Sequence, residues 1–117
     1  MNRVLVGAGA INAALAVACG AFAAHGLKAK LDAHALEVFE TGARYHMYHA
    51  LAMIAAGLCA ARAPGWVFQA GIVLFCGSLY ALALSDVKAL GAITPVGGAA
   101  FLVGWIWLAI AVLRGGE

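Results

Sequence analysis

Four runs of uncharged residues, each long enough to cross a bilayer as a helix, leave this chain little choice of fold. A hydrocarbon core about 30 Å thick takes about 20 helical residues. The runs are Val4 to Ala24, Tyr45 to Ala61, Ala63 to Ser85 and Ala89 to Leu113, bounded by Arg3, Arg44, Arg62, Asp86 and Arg114. Backbone groups find no water in hydrocarbon, so each run must be helical. With 66% hydrophobic and 10% charged residues, the chain lies far outside the composition of a soluble domain. The expected fold is an all-α integral membrane protein. It is a four-transmembrane-helix bundle forming one membrane domain over residues 1–117, with spans at about 4–24, 45–61, 66–85 and 94–113.

Punctuation between the runs refines this expectation. Leu31, Ala35, Val38, Phe39 and Gly42 recur at helical spacing opposite Asp32, Glu37, Glu40 and Thr41, which predicts a short amphipathic helix over about 31–43 on the membrane surface. The second span is the shortest, so it tilts little or borrows a turn from that helix. Glu40 and Arg44 stand four apart in the order that favours a helical ion pair. Thr94-Pro95 reads as the N-cap and first position of the fourth helix. Trp66, Trp105 and Trp107 are placed near one membrane face, and Tyr45 and Tyr48 near the other, as interfacial belts. A cleaved signal peptide is the alternative for the first run, but a single Arg3 and a long apolar stretch fit it poorly.

Charge and cysteines exclude several functions. The seven basic residues form no cluster, which argues against nucleic acid as a partner. Cys19, Cys59 and Cys76 lie in separate apolar runs and read as buried free thiols. Association of the helices rests on small residues: Gly9, Ala13, Ala16, Gly20 and Ala24 on the first, Ala52, Ala56 and Ala60 on the second, Gly77 and Ala81 on the third, and Gly97, Ala100 and Gly104 on the fourth. A surplus stripe would serve another membrane protein or a second copy of the chain.

Alternating spans bring His25, His46, His49, Ser85, Asp86 and Thr94 to one membrane side, with Ser78 and Tyr80 pointing to the same half. Asn12 reads as the only amide or charge deep in any span, which argues against ion-coupled transport. One expectation is a hydrogen-bonded network of His25, His49, Tyr80 and Thr94. A second is a shallow anion pocket at the start of the fourth helix, where Gly97 and Gly98 allow close approach. His25, His46 and His49 are a weak candidate metal set, and His25 with His49 a weaker candidate haem pair. No cofactor is predicted.

Four stretches carry a family resemblance: Gly20 to Lys28, Thr41 to Ala52, Leu74 to Leu84, and Thr94 to Gly98 followed by Phe101 to Trp105. In these the chain resembles the domain of unknown function 423 family, to which animal transmembrane protein 256 belongs. The resemblance implies a four-span protein of the bacterial inner (cell) membrane, with His25, His49, Ser78, Tyr80, Thr94, Pro95, Gly97 and Gly98 in the shared pattern. It also implies Gln as an alternative at His46, and basic residues after the second and fourth spans that put both termini in the cytoplasm. The functional expectation is a non-enzymatic structural, accessory or assembly component of a larger membrane complex. The alternatives are a lipid or small-molecule binding or permeation module, and a metal or haem redox protein.

Overall fold

A computed structural model describes residues 1–115. Helix α1 spans Arg3–Leu27, α2 Ala33–Leu58, α3 Arg62–Ser85 and α4 Thr94–Leu113, and a 3-10 turn over Lys88–Ala92 leads into α4. Sequence-adjacent helices run antiparallel: Gly57 meets Val6, Gly42 meets Tyr80, and Gly97 meets Phe75. Three helical stretches, Arg3–Leu27, Arg62–Ser85 and Lys88–Leu113, are long and apolar enough to cross a membrane.

The amphipathic segment is not a separate helix. Asp32 caps α2 by accepting from the Ala35 N–H at 2.8 Å, and the helix then runs unbroken for 26 residues through Glu40, Arg44 and the histidines to Leu58. Gly42 is the one poor helix former in 41–45, and its close packing on the Tyr80 ring keeps the helix continuous, so the amphipathic and apolar segments join end to end. Glu40 and Arg44 do not pair; Arg44 donates to the Thr41 hydroxyl at 3.1 Å instead. Thr94 is the first residue of α4 and not its cap, which is Ile93. The Cys59 thiol is exposed at the end of α2, whereas Cys76 is buried and Cys19 half-buried.

The links between helices are made by local hydrogen bonding. The Asn2 side chain accepts from the Leu5 N–H, capping α1, while the Asn2 N–H donates to the Gly57 carbonyl and ties the chain start to the end of α2. After α2, the Ala61 N–H returns to Ala56 O and the Ala60 N–H to Gly57 O, the pairing of a Schellman turn. Ala60 holds the left-handed position there at φ 57°. It therefore closes the turn and does not extend the small-residue stripe. At the other end Asp86 caps α3 at φ 58°, and Lys88, 2.6 Å away, holds its carboxyl below the usual carboxylate range.

Lipid is as apolar as the side chains, so the bundle is held by close packing and not by a hydrophobic drive. Gly9 lies against Ala50 and Ile54, Gly65 against Leu5, and Gly104 against the Phe68 ring. Closest of all to another backbone, a Cβ on Gly97 would stand 2.3 Å from the nitrogen of Phe75. Phe75 lies in a π-helical turn, Ile72–Cys76, inside α3. Gly20 and Gly77 face open space, so the stripe of α1 is used at Gly9 and Ala16 but not at Gly20, and the Gly77–Ala81 pair on α3 is left over after folding.

Two outcomes follow for thermal unfolding in detergent. Gly97→Ala costs about 1–3 kcal/mol because backbone cannot give way, while Gly77→Ala is neutral or stabilising. Ala60→Gly relieves the left-handed alanine and raises stability by up to about 1 kcal/mol.

Candidate functional site

Buried polar side chains meet in the middle of the bundle and not at its end. His46 lies 13 residues into α2, about 20 Å from its start, because the helix begins at Ala33. Facing it are Asn12 of α1 and Tyr80 of α3, with Gln69 of α3 on the far side of Asn12. Asn12 donates through its amide nitrogen to Ala8 O at 2.9 Å and to Gln69 Oε1 at 2.8 Å, so its oxygen faces His46. The His46 Nε2–H then donates to Asn12 Oδ1 at 3.0 Å, and the Tyr80 hydroxyl donates to His46 Nδ1 at 2.9 Å. With the imidazole neutral, every step has one donor and one acceptor. Tyr80 also packs against both apolar clusters of the interior, the larger around Leu5, Met53 and Phe68 and the smaller around Leu27 and Phe39.

His49, one turn further along α2, takes the opposite tautomer. Its Nδ1–H donates to the Tyr45 carbonyl at 2.8 Å, and its Nε2 accepts from the Trp105 indole N–H at 3.0 Å. Phe101 stacks on the imidazole, with centroids 3.5 Å apart and planes 6° apart. Protonating Nε2 would oppose two donors, since indole has no acceptor. This contact also moves Trp105 from the expected interfacial belt to the flank of a buried histidine. A third contact joins α3 to α4: Ser78 donates to the Phe75 carbonyl at 2.9 Å, and Thr94 lies 2.6 Å from the Ser78 hydroxyl.

The residues singled out from sequence are thus divided among three places. Tyr80 belongs with His46 and Asn12, His49 with Trp105, and Thr94 with Ser78, so the expected network of His25, His49, Tyr80 and Thr94 does not form. His25 is exposed at the end of α1 and bonds to none of the others. No three His, Cys, Asp or Glu side chains among the described residues are placed to hold a metal. The three-histidine set fails because His25 is remote and both nitrogens of His46 and His49 are already engaged; the haem pair fails for the same reasons. Gly97 is covered by Phe75, so it offers no anion pocket. Gln69 was missed: it is a second deep amide, lying in the apolar run of α3, and its position opposite Asn12 is set by helix packing that no spacing rule reveals.

Beside His49 the bundle opens into a cleft of about 410 Å³ between α2, α3 and α4. Tyr45, Tyr48, Phe75, Phe101 and Trp105 form its walls, and Gly98 leaves a gap in one of them. At the end of the bundle, the α1–α2 and α3–α4 links enclose a second, more polar hollow lined by Lys30, Asp32, His34, Asp86 and Lys88.

The polar chain makes a graded series. Asn12→Leu strands the His46 N–H and the Gln69 oxygen and lowers stability by about 1–3 kcal/mol, whereas Tyr80→Phe removes one hydroxyl and costs about 0.5–1.5 kcal/mol. Chemical unfolding in micelles, followed by far-UV circular dichroism, measures both.

The chain matches known proteins along almost its whole length. Residues 19–98 match the family described as protein of unknown function (DUF423). The UPF0382 membrane protein YwdK of Bacillus subtilis is 46% identical over 120 residues, covering 96% of this chain and 98% of the relative. A UPF0382 membrane protein of Staphylococcus aureus, SAB0533, is 46% identical over 91% of this chain and 92% of its own length. Another from Staphylococcus saprophyticus, SSP2132, is 45% identical over 96% and 98%. No solved structure matches. With its apolar helices and these relatives, the chain is a membrane protein and belongs to the DUF423 family.

Proposed function

We propose that this chain is a four-span protein of the bacterial inner (cell) membrane, with both termini in the cytoplasm, that acts without catalysis as an assembly or stabilising component of a larger membrane complex. The fourth crossing is α2, which is too polar to qualify alone. Its His46 and His49 are buried against the other helices, and this supports its insertion as part of a bundle. The orientation rests on the basic residues that the family pattern places after the second and fourth spans.

The observation that carries the reading is the outer face of α3. Ala70, Val73, Gly77, Ala81 and Leu84 form an exposed stripe, and Gly77 has no atom within 4 Å of where a Cβ would stand. Small residues four apart on one helix, such as Gly77 and Ala81, let a neighbouring transmembrane backbone come close. The glycines that this bundle uses, such as Gly9, Gly97 and Gly104, are already covered. Among the described residues every buried side-chain polar atom has a partner, so the polar interior is occupied with holding the helices and not left open for chemistry.

Crosslinking in native membranes, followed by mild extraction and native mass spectrometry, tests this. A second polypeptide bound to the wild type and lost from the Gly77→Leu, Ala81→Leu variant, with melting unchanged, is the expected result. A mass of two copies assigns the face to self-association. Recovery of the free monomer alone would remove the basis of the reading.

A further inference from the structure

The cleft beside His49 is built differently from the rest of the lipid-facing surface. Six aromatic or heteroaromatic side chains line it: Tyr45, Tyr48, His49, Phe75, Phe101 and Trp105. Tyr45 and Tyr48 meet edge to face at 5.4 Å, Tyr45 reaches Phe75 at 5.0 Å, and Phe75 reaches Phe101 at 5.3 Å, so the walls are rings held by other rings. Gly98 interrupts them. A Cβ there would be 3.8 Å from the Phe75 ring, in ordinary contact, so Gly98 is half-buried against that ring and leaves room on the cleft side that a larger side chain would fill.

Depth restricts what enters. Tyr45 directly precedes His46, whose partner Asn12 lies mid-way along α1, so this end of the cleft is level with the middle of the bundle. From there it descends past Phe101 to Trp105, which is nine residues, about 13 Å, short of Arg114. A charged or strongly hydrated ligand is excluded at that depth. His49 offers such a ligand nothing, because Tyr45 O and Trp105 hold both of its nitrogens.

Two polar groups remain. Among the described residues the hydroxyls of Tyr45 and Tyr48 have no hydrogen-bond partner, although both side chains line the cleft. A phenol in apolar surroundings is a donor in search of an acceptor. Stacking walls, the room left at Gly98 and two O–H donors in hydrocarbon together describe a lipid-soluble flat ring with carbonyl oxygens. We propose that the cleft between α2, α3 and α4 binds a quinone, its ring stacked on the aromatic walls and its carbonyls accepting from Tyr45 and Tyr48. A saturated acyl chain would fill the volume but use neither the ring faces nor the hydroxyls. The cleft holds the ring without a redox step. The inference is independent of the scaffold reading, whose face lies on α3 around Gly77.

The test uses the full chain in phosphatidylcholine nanodiscs, with Trp66→Phe and Trp107→Phe leaving Trp105 as the only tryptophan. Titration with a decyl-substituted benzoquinone is expected to quench Trp105 fluorescence saturably. Tyr45→Phe with Tyr48→Phe keeps both rings and is expected to weaken the apparent affinity about tenfold. Gly98→Leu fills the gap and is expected to abolish the saturable component, with melting unchanged in both variants. Quenching that rises linearly with quinone content and is the same in all variants is partitioning into lipid, and overturns the proposal. Equal competition by methyl decanoate, which has a chain and a carbonyl but no ring, assigns the cleft to acyl chains and overturns it as well.

Discussion

The hydrogen bond between His46 and Asn12 is the contact on which the bundle turns. A histidine in the middle of a helix surrounded by lipid would carry two unsatisfied nitrogens, and hydrocarbon offers neither with a partner. Asn12 satisfies one and Tyr80 the other, and Gln69 completes Asn12. Three helices are committed to one register by these bonds, because sliding any of them by a residue would separate His46 from Asn12 or Tyr80, or Asn12 from Gln69. Stability and specificity have different sources here. The glycine contacts supply the close packing, and the polar chain selects which packing is adopted.

The same constraint explains why α2 is both the most polar helix and the one the others surround. Its apolar content is too low for a lone span, yet Ala50, Ala52, Met53 and Ala56 bury completely or nearly so and leave His46 and His49 facing protein. Its charged side chains run alongside α1 on the outside of the bundle, where Glu40 and Arg44 border a hollow with Ala16 and Gly20. One helix thereby carries both the amphipathic segment and much of the bundle core. The opposite tautomers of His46 and His49 express the same economy: each ring is fixed by whichever backbone, amide, phenol or indole group its neighbours present.

Packing also divides the outer surface into two kinds. On α3 the stripe around Gly77 is smooth and small, suited to another helix. Across α2, α3 and α4 the cleft at Tyr45 and Trp105 is ringed by π faces with hydroxyls unspent, suited to a small flat molecule. The π-helical turn at Ile72–Cys76 contributes to this arrangement, since α4 rests directly on Phe75 through Gly97 while the Phe75 ring forms a wall of the cleft. A scaffold and a ligand cleft can coexist because they occupy different faces.

Uncharged run length by itself determined that the chain is helical and membrane-embedded, because an unpaired backbone has no other solution in lipid. It also located the ends of α3 and α4 closely, since Ser85 and Leu113 adjoin charges. The family resemblance rested on local stretches and needed no tertiary information. The start of α2 lies earlier than the pattern predicts, because a helix passes from an amphipathic to an apolar stretch unbroken when no proline or cap intervenes. The polar sites were legible as a list and not as a set. Period and alternation place His25, His49, Tyr80 and Thr94 toward one end, but partners depend on the rotation and offset of each helix. Those are decided by where Gly9 and Gly97 let backbones touch and where Gly65 and Gly104 admit the Leu5 and Phe68 side chains. Only the tertiary structure therefore joined Gln69 to Asn12, Trp105 to His49 and Ser78 to Thr94, and left His25 alone at the surface.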